Sequence, residues 1–173
     1  FTNLSHDHLD YHADPATYLE AKLRLFGEVM AEGRIAVLNA DVPEFRPFAD
    51  ICRRRDHRVL SYGRAGEDIR LVRQDLALDR QWIEITVGGL THVAELRLPG
   101  EFQASNVLCA LGLALACGGE LQPALDALDG LSAVPGRMQE VARHPSGAPI
   151  IVDYAHTPDS LEQVLTALAA CTQ

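Results

Sequence analysis

Long hydrophobic runs are missing from this chain of 173 residues. No apolar stretch approaches the ~18–20 residues that a membrane span requires. The longest candidate, Val107–Cys117, reads as a buried helix, so no membrane partner is expected. Phe1 leads straight into polar residues, which do not read as a secretory leader. An initiator Met is also lacking, and the first residues read as the end of a strand, so a fragment of a longer protein is expected. Cysteine is scarce and unpatterned. Cys52, Cys109, Cys117 and Cys171 show no CxxC spacing and sit mostly in apolar surroundings. That favours reduced thiols in a cytoplasmic protein over a zinc knuckle or a disulfide framework. Positive charge is short as well. The formal net charge of −9 argues against nucleic acid as partner, because its phosphates would be repelled. A small phosphate ligand held with a divalent cation stays compatible with it.

What is present is globular: 47% of the residues are hydrophobic and 6% aromatic, enough for one core or for one domain and the start of another. Asp14-Pro15 predicts a helix start, Asp as N-cap and Pro at the first helical position. The helix is expected to run to about Glu32 and stop at Gly33. Arg34–Asp41 is a short β-branched apolar run of the buried parallel type. A helix over Glu44–Arg54 and a strand at "RVLSYG" follow. From Ile69 the texture changes to strict alternation in "IRLVRQDLAL", "QWIEITV" and "THVAELRLP", with Gly88-Gly89 as a hairpin turn. A small antiparallel sheet beside the parallel one is expected. Helices return at Ala104–Cys117 and Gln122–Asp129, and Ser132–Arg137 is the best linker, on its Pro-Gly pair. Beyond it a strand "PIIVDYA" leads to a helix capped by Thr157, with Pro158 at its first position. The fold class is therefore α/β: a mainly parallel sheet flanked by helices, a small antiparallel sheet, and the first βα unit of a Rossmann-like second domain.

Two clusters can carry chemistry. "NLSHDHLDYHADP" holds three histidines and three aspartates. His8 and His12 have the i, i+4 spacing of HExxH, but Leu9 rather than Glu follows His8, and the helix begins only after Asp14. A zinc hydrolase is thus a weak alternative to a plain polar loop. On a helical wheel of about 100° per residue, Tyr18, Leu19, Leu23, Phe26, Val29 and Met30 share one arc, and Lys22 falls inside it. A lysine on an apolar face snorkels to water, finds an ion partner, or becomes neutral. Neutrality at pH 7 costs roughly 4.6 kcal/mol against an ordinary pKa near ~10.4, and desolvation supplies much of that shift. A neutral amine reacts with carbon dioxide to give a carbamate, an anionic ligand suited to Mg²⁺. The second cluster is "VDYAHTPD". It sets Asp153 at the carboxyl end of an apolar strand, just before a helix N-terminus, where α/β sheets bind ligands. Asp153 can accept from ribose hydroxyls or be a solvated turn residue, and His156 stands in the loop above it. Arg137 suits phosphate or plain solvent. Asn106 can read an adenine edge or decorate its helical turn.

In order and spacing, "TNLSHDHLDYH", "YLEAKLRLF", "AVLNADVP", "LPGEFQASNVLCAL", "VPGRMQEV" and "VDYAHTPDSLEQVL" resemble the Mur ligases, ATP-dependent amide-forming enzymes of peptidoglycan precursor synthesis. The resemblance implies the later part of the central ATPase domain over residues 1–133 and the start of the C-terminal domain over 134–173. It implies ATP and Mg²⁺ as cofactors. The implied substrates are UDP-N-acetylmuramoyl-L-alanyl-D-glutamate and a third amino acid, diaminopimelate or lysine, joined through an acyl phosphate. His8 matches a Mg²⁺-ligating histidine and Lys22 the carbamylated lysine, the implied catalytic and metal pair. Asn106 matches an adenine contact, Arg137 a linker arginine that reaches the nucleotide, and Asp153 a ribose-binding aspartate. Tyr154 and His156 lie in the same nucleotide-facing motif. Gln103 stands where the family usually has Asn, and no contact is carried over to it. No GxxxxGK[ST] phosphate cradle occurs in the chain, which implies that it is inactive alone. A non-catalytic Mur-like nucleotide-binding module is the alternative.

Overall fold

The computed structural model describes residues 1–4, 14–77 and 79–170. The first helix, α1 (Pro15–Arg24), starts as the sequence predicts. The Asp14 carboxylate accepts from Thr17 N at 2.8 Å, and the Thr17 hydroxyl returns a bond to the Asp14 carbonyl. That backbone N–H is the main reason the Asp14 carboxyl is held below its ordinary pKa. The end differs from expectation. α1 gives way to a wide π turn over Leu25–Val29, closed by Met30 N donating to Leu25 O at 2.8 Å. A wider turn advances less per residue than the wheel assumes, so Val29 leaves the apolar arc and is 71% exposed. Leu19, Leu23, Phe26 and Met30 keep to the arc and pack with Phe48 and Cys52 of α2 (Phe45–Arg54).

β1 (Ile35–Asn39) and β2 (Arg58–Gly63) run parallel through five residue pairs. Phe1 lies on the other side of β1. Its amino group donates to Val37 O at 2.7 Å and its carbonyl accepts from Asn39 N at 3.0 Å, a parallel pattern. β1 turns Val37 to one core and Ala36 and Leu38 to the other, so helices cover both faces here. After β2 the chain steps sideways. Residues 64–68 loop out and β3 (Ile69–Leu76) resumes in the same direction beside the end of β2, sharing only Tyr62–Ile69 and Gly63–Arg70. Asp41 fastens this loop by accepting from Arg64 N and Ala65 N at 2.8 and 2.7 Å. Asp68 fastens it again through Ser61 N and Oγ. β4 (Gln81–Val87) and β5 (Leu90–Leu96) complete an antiparallel meander, turning at Gly88-Gly89 with φ of 57° and 79°. The expected antiparallel strands thus join the parallel ones edge to edge in a single five-stranded sheet. They bury one face only, which is why their residues alternate.

α3 (Phe102–Ala116) covers that face. At Gly112 it lies tight against the sheet: a Cβ there would meet Val37 Cγ1 at 2.9 Å and Leu60 Cδ2 at 3.1 Å. α4 (Leu121–Asp126) and a 3-10 turn at Leu128–Gly130 follow. The edge of β5 is partly closed by Asp129, which accepts from Glu95 N at 2.9 Å. After the linker come β6 (Gln139–Arg143), β7 (Pro149–Val152) and α5 (Pro158–Ala170). β6 pairs antiparallel with β7 and had no counterpart in the sequence-based expectation. Among the described residues no helix is long and apolar enough to cross a membrane.

His57 ties the π turn to the sheet. Its ring is buried, Nδ1 accepts from Arg34 N at 3.2 Å, and Nε2 lies 2.9 Å from Phe26 O. Because Nδ1 accepts, the proton sits on Nε2 and is donated to that carbonyl. His57→Leu strands a part-buried N–H and a buried C=O. The expected loss is about 2–4 kcal/mol in urea-unfolding stability, and an unchanged midpoint would show that these two bonds hold nothing.

Candidate functional site

Five residues singled out from sequence come together. Asn106, Arg137, Asp153, Tyr154 and His156 line one cleft of about 490 Å³. It lies between the N-terminal half of α3, the linker and the loop from β7 into α5. Leu98, Phe102, Val107, Ala110 and Leu131 give it an apolar wall.

The linker is held by the loop that follows β7. Asp153 uses both carboxylate oxygens on backbone: Oδ2 accepts from Met138 N at 2.8 Å and Oδ1 from Ala155 N at 2.7 Å. Each oxygen keeps a further lone pair, so one more donor can still be accepted. Met138 is 1% exposed and has φ of 46°, a left-handed geometry uncommon for a residue with a side chain. Its burial and the bond to Asp153 hold it there. Gly136, with φ of 71°, donates its N–H to Gln139 Oε1 at 2.8 Å. Between these two turns Arg137 projects, and its guanidinium lies 4.8 Å from the centroid of the Tyr154 ring.

Tyr154 in turn meets His156 edge-on, with ring centroids 5.1 Å apart. The Tyr154 ring is 64% exposed, so it presents a broad aromatic surface beside the cleft. His156 Nδ1 sits 2.9 Å from Tyr154 O, and since a carbonyl only accepts, that nitrogen carries the proton and leaves Nε2 as an acceptor. The predicted cap of α5 is present and reciprocal. Ser160 N donates to Thr157 Oγ1 at 3.2 Å, and Thr157 N to Ser160 Oγ at 2.9 Å. Ser160 also lines the cleft, as does Gln103, neither having been assigned there from sequence. A signal existed for Ser160, since it stands three residues after Thr157 as in a capping box.

The other pair is not part of this cleft. His8 lies outside the described residues, as do His12 and Asp10. Lys22 is half-buried on α1, on the face the wheel assigned, with Nζ 4.7 Å from the centroid of the Tyr18 ring one turn back. It is the only lysine in the chain. Among the described residues it forms no salt bridge, and no group of three His, Cys, Asp or Glu is placed to hold a metal.

The arrangement matches known proteins throughout. The family model of the Mur ligase middle domain matches residues 1–114, and that of the Mur ligase glutamate ligase domain matches residues 136–173. The UDP-N-acetylmuramoyl-L-alanyl-D-glutamate–2,6-diaminopimelate ligase of Caulobacter vibrioides is 44% identical over 168 residues, which cover 97% of this chain and 35% of that protein. A solved structure of a ligase of that name aligns with a TM-score of 0.78 at 31% identity, over 99% of this chain and 35% of that one. The MurF ligase of Thermotoga maritima, solved in complex with ADP, shares the fold with a TM-score of 0.77 at 20% identity, over 96% of this chain and 38% of its own. This chain spans about 35% of the length of the curated relatives it matches. By these matches the chain belongs to the Mur ligase family.

Proposed function

We propose that the chain is part of a cytoplasmic ATP-dependent ligase that adds diaminopimelate to UDP-N-acetylmuramoyl-L-alanyl-D-glutamate during peptidoglycan synthesis. The convergence of Asn106, Arg137, Asp153, Tyr154 and His156 on one cleft carries this reading. The third amino acid is taken as diaminopimelate rather than lysine because the relatives at 37–44% identity carry that name. Residues 1–133 would belong to the central domain and 134–173 to the C-terminal one. The gap between the family matches, residues 115–135, supports this division.

The cleft suits an adenine nucleotide. Its apolar wall takes the flat base, and Asn106 supplies an amide for the base edge. Asp153 keeps lone pairs for ribose hydroxyls while it fixes the linker. Arg137 offers a cation for phosphate oxygens, steadied on Tyr154. When bound, ATP supplies the phosphoryl group that turns a carboxylate into an acyl phosphate open to attack by an amine. The residues here orient the nucleotide for that transfer, and the linker at Arg137 is placed to act as a hinge.

Mg²⁺ does not fit the described residues as they stand. The Lys22 ammonium lies against the Tyr18 ring, and a cation cannot ligate a cation. Only the carbamate of Lys22, paired with His8, would do so. Carbamylation requires the amine to leave Tyr18 in its neutral form.

Three outcomes test this reading. The full-length protein is expected to join diaminopimelate to the UDP-linked dipeptide with release of ADP, whereas the 173-residue chain, without a phosphate loop, forms no amide. Ligation by neither, with nucleotide still bound, would favour the non-catalytic module. Arg137→Ala in the full-length protein is expected to weaken ADP binding roughly 10- to 100-fold by calorimetry, the range of one charge-assisted hydrogen bond. Equal affinity would remove Arg137 from the site. Finally, ¹³C-bicarbonate added to the 173-residue chain is expected to give a side-chain carbamate resonance that Lys22→Arg abolishes. Its absence at saturating bicarbonate would end the carbamate assignment.

A further inference from the structure

Gln103 is the only polar residue among the buried positions of α3, at 9% exposure, and it also lines the cleft. Its Oε1 accepts from Nδ2 of Asn106, one turn further along, at 3.1 Å. Residues three apart on a helix are neighbours, so the pair is made by the helix itself. Asn106, unlike Gln103, is exposed and stands at the cleft surface. An asparagine amide has two unlike ends: an oxygen that only accepts and an NH₂ that only donates. Engaging the NH₂ with Gln103 turns the oxygen away from Gln103, towards the open side.

Building on the reading of this cleft as a nucleotide site, we propose that Gln103 is a positioning residue for base selection. It sets the Asn106 amide so that the base meets an acceptor. A purine with an amino group at C6 donates to that oxygen, whereas a purine with a 6-oxo group would bring acceptor against acceptor. The selection therefore comes from Asn106 but its sign comes from Gln103. Had Gln103 donated instead, the same asparagine would present its NH₂ and favour the 6-oxo base.

The test compares ADP with IDP, which differ in the 6-substituent and the N1 proton that accompanies it, by calorimetry on the full-length protein. Wild type is expected to prefer ADP by at least about tenfold, as for a site that leaves a polar group facing a like partner. Gln103→Glu keeps an acceptor of the same length and is expected to retain the preference. Gln103→Met removes the acceptor at similar volume, and Gln103→Ala removes it without filling the space. Both are expected to bring the ADP/IDP ratio to within about twofold of one, partly through tighter IDP binding, which simple damage to the helix would not produce. Thermal melts identify any variant that does not fold, and either acceptor-free variant alone decides the ratio. An undiminished ratio in the acceptor-free variants, or a wild type that prefers IDP, overturns the positioning role while leaving the nucleotide site intact. Absence of binding by either nucleotide overturns the nucleotide reading itself.

Discussion

Both oxygens of Asp153 are committed to backbone N–H groups, and the shape of the cleft follows from that. One bond turns the chain at Ala155 and the other reaches across to Met138. The second is the consequential one, because it fastens the linker to the end of β7 just after Arg137. Met138 sits in a backbone conformation that costs roughly 1 kcal/mol or more for a residue with a side chain, offset by its complete burial. This carboxylate acts together with the β6–β7 pairing to keep Arg137 beside Tyr154. A residue that motif comparison marks for ribose is thus structural first, and it has ligand capacity to spare.

The two candidate centres differ in how far their geometry is built. Around the cleft, rings, caps and carboxylate are mutually held, from Arg137 through Tyr154 to His156 and from Thr157 to Ser160. Lys22 is held in a different sense. Its helix is anchored through Phe26 and His57 to the sheet, so the position of its backbone is fixed, while the amine itself rests on Tyr18.

Much of this was legible from residue order, for identifiable reasons. The continuous apolar run at Arg34–Asp41 and the alternation after Ile69 reported, respectively, strands covered on two faces and strands covered on one. Asp14-Pro15 and Thr157-Pro158 gave helix starts because caps are local. Where a long-range packing requirement overrode a local pattern, legibility failed. The π turn at Leu25–Val29 is one case: nothing in "LFGEV" announces an i→i+5 bond, and Val29 was misplaced as a result. β6 is another. "QEVAR" lies just beyond the expected linker and was given no element, although "HPSGAP" behind it holds a turn with Gly147 at φ of 90°. The site residues of the cleft came from motif order and from strand-end position together. Gln103 was noticed only as a departure, since a hydrogen bond to Asn106 cannot be read from letters. His8 lies outside the described residues, so its half of the opening motif rests on sequence alone.

The sideways step between β2 and β3 has a mechanical corollary. A ladder of two pairs joins the parallel half of the sheet to the meander, against five pairs between β1 and β2 and seven between β4 and β5. That seam is the most compliant line in the sheet. α3 lies across it, packing on β1 and β2 at Gly112 and in one core with β4 and β5, and so serves as the splint. The same helix brings its first turns to the cleft wall. A base wedged against them would load the splint at one end, and the stiffness of the whole sheet would respond to occupancy.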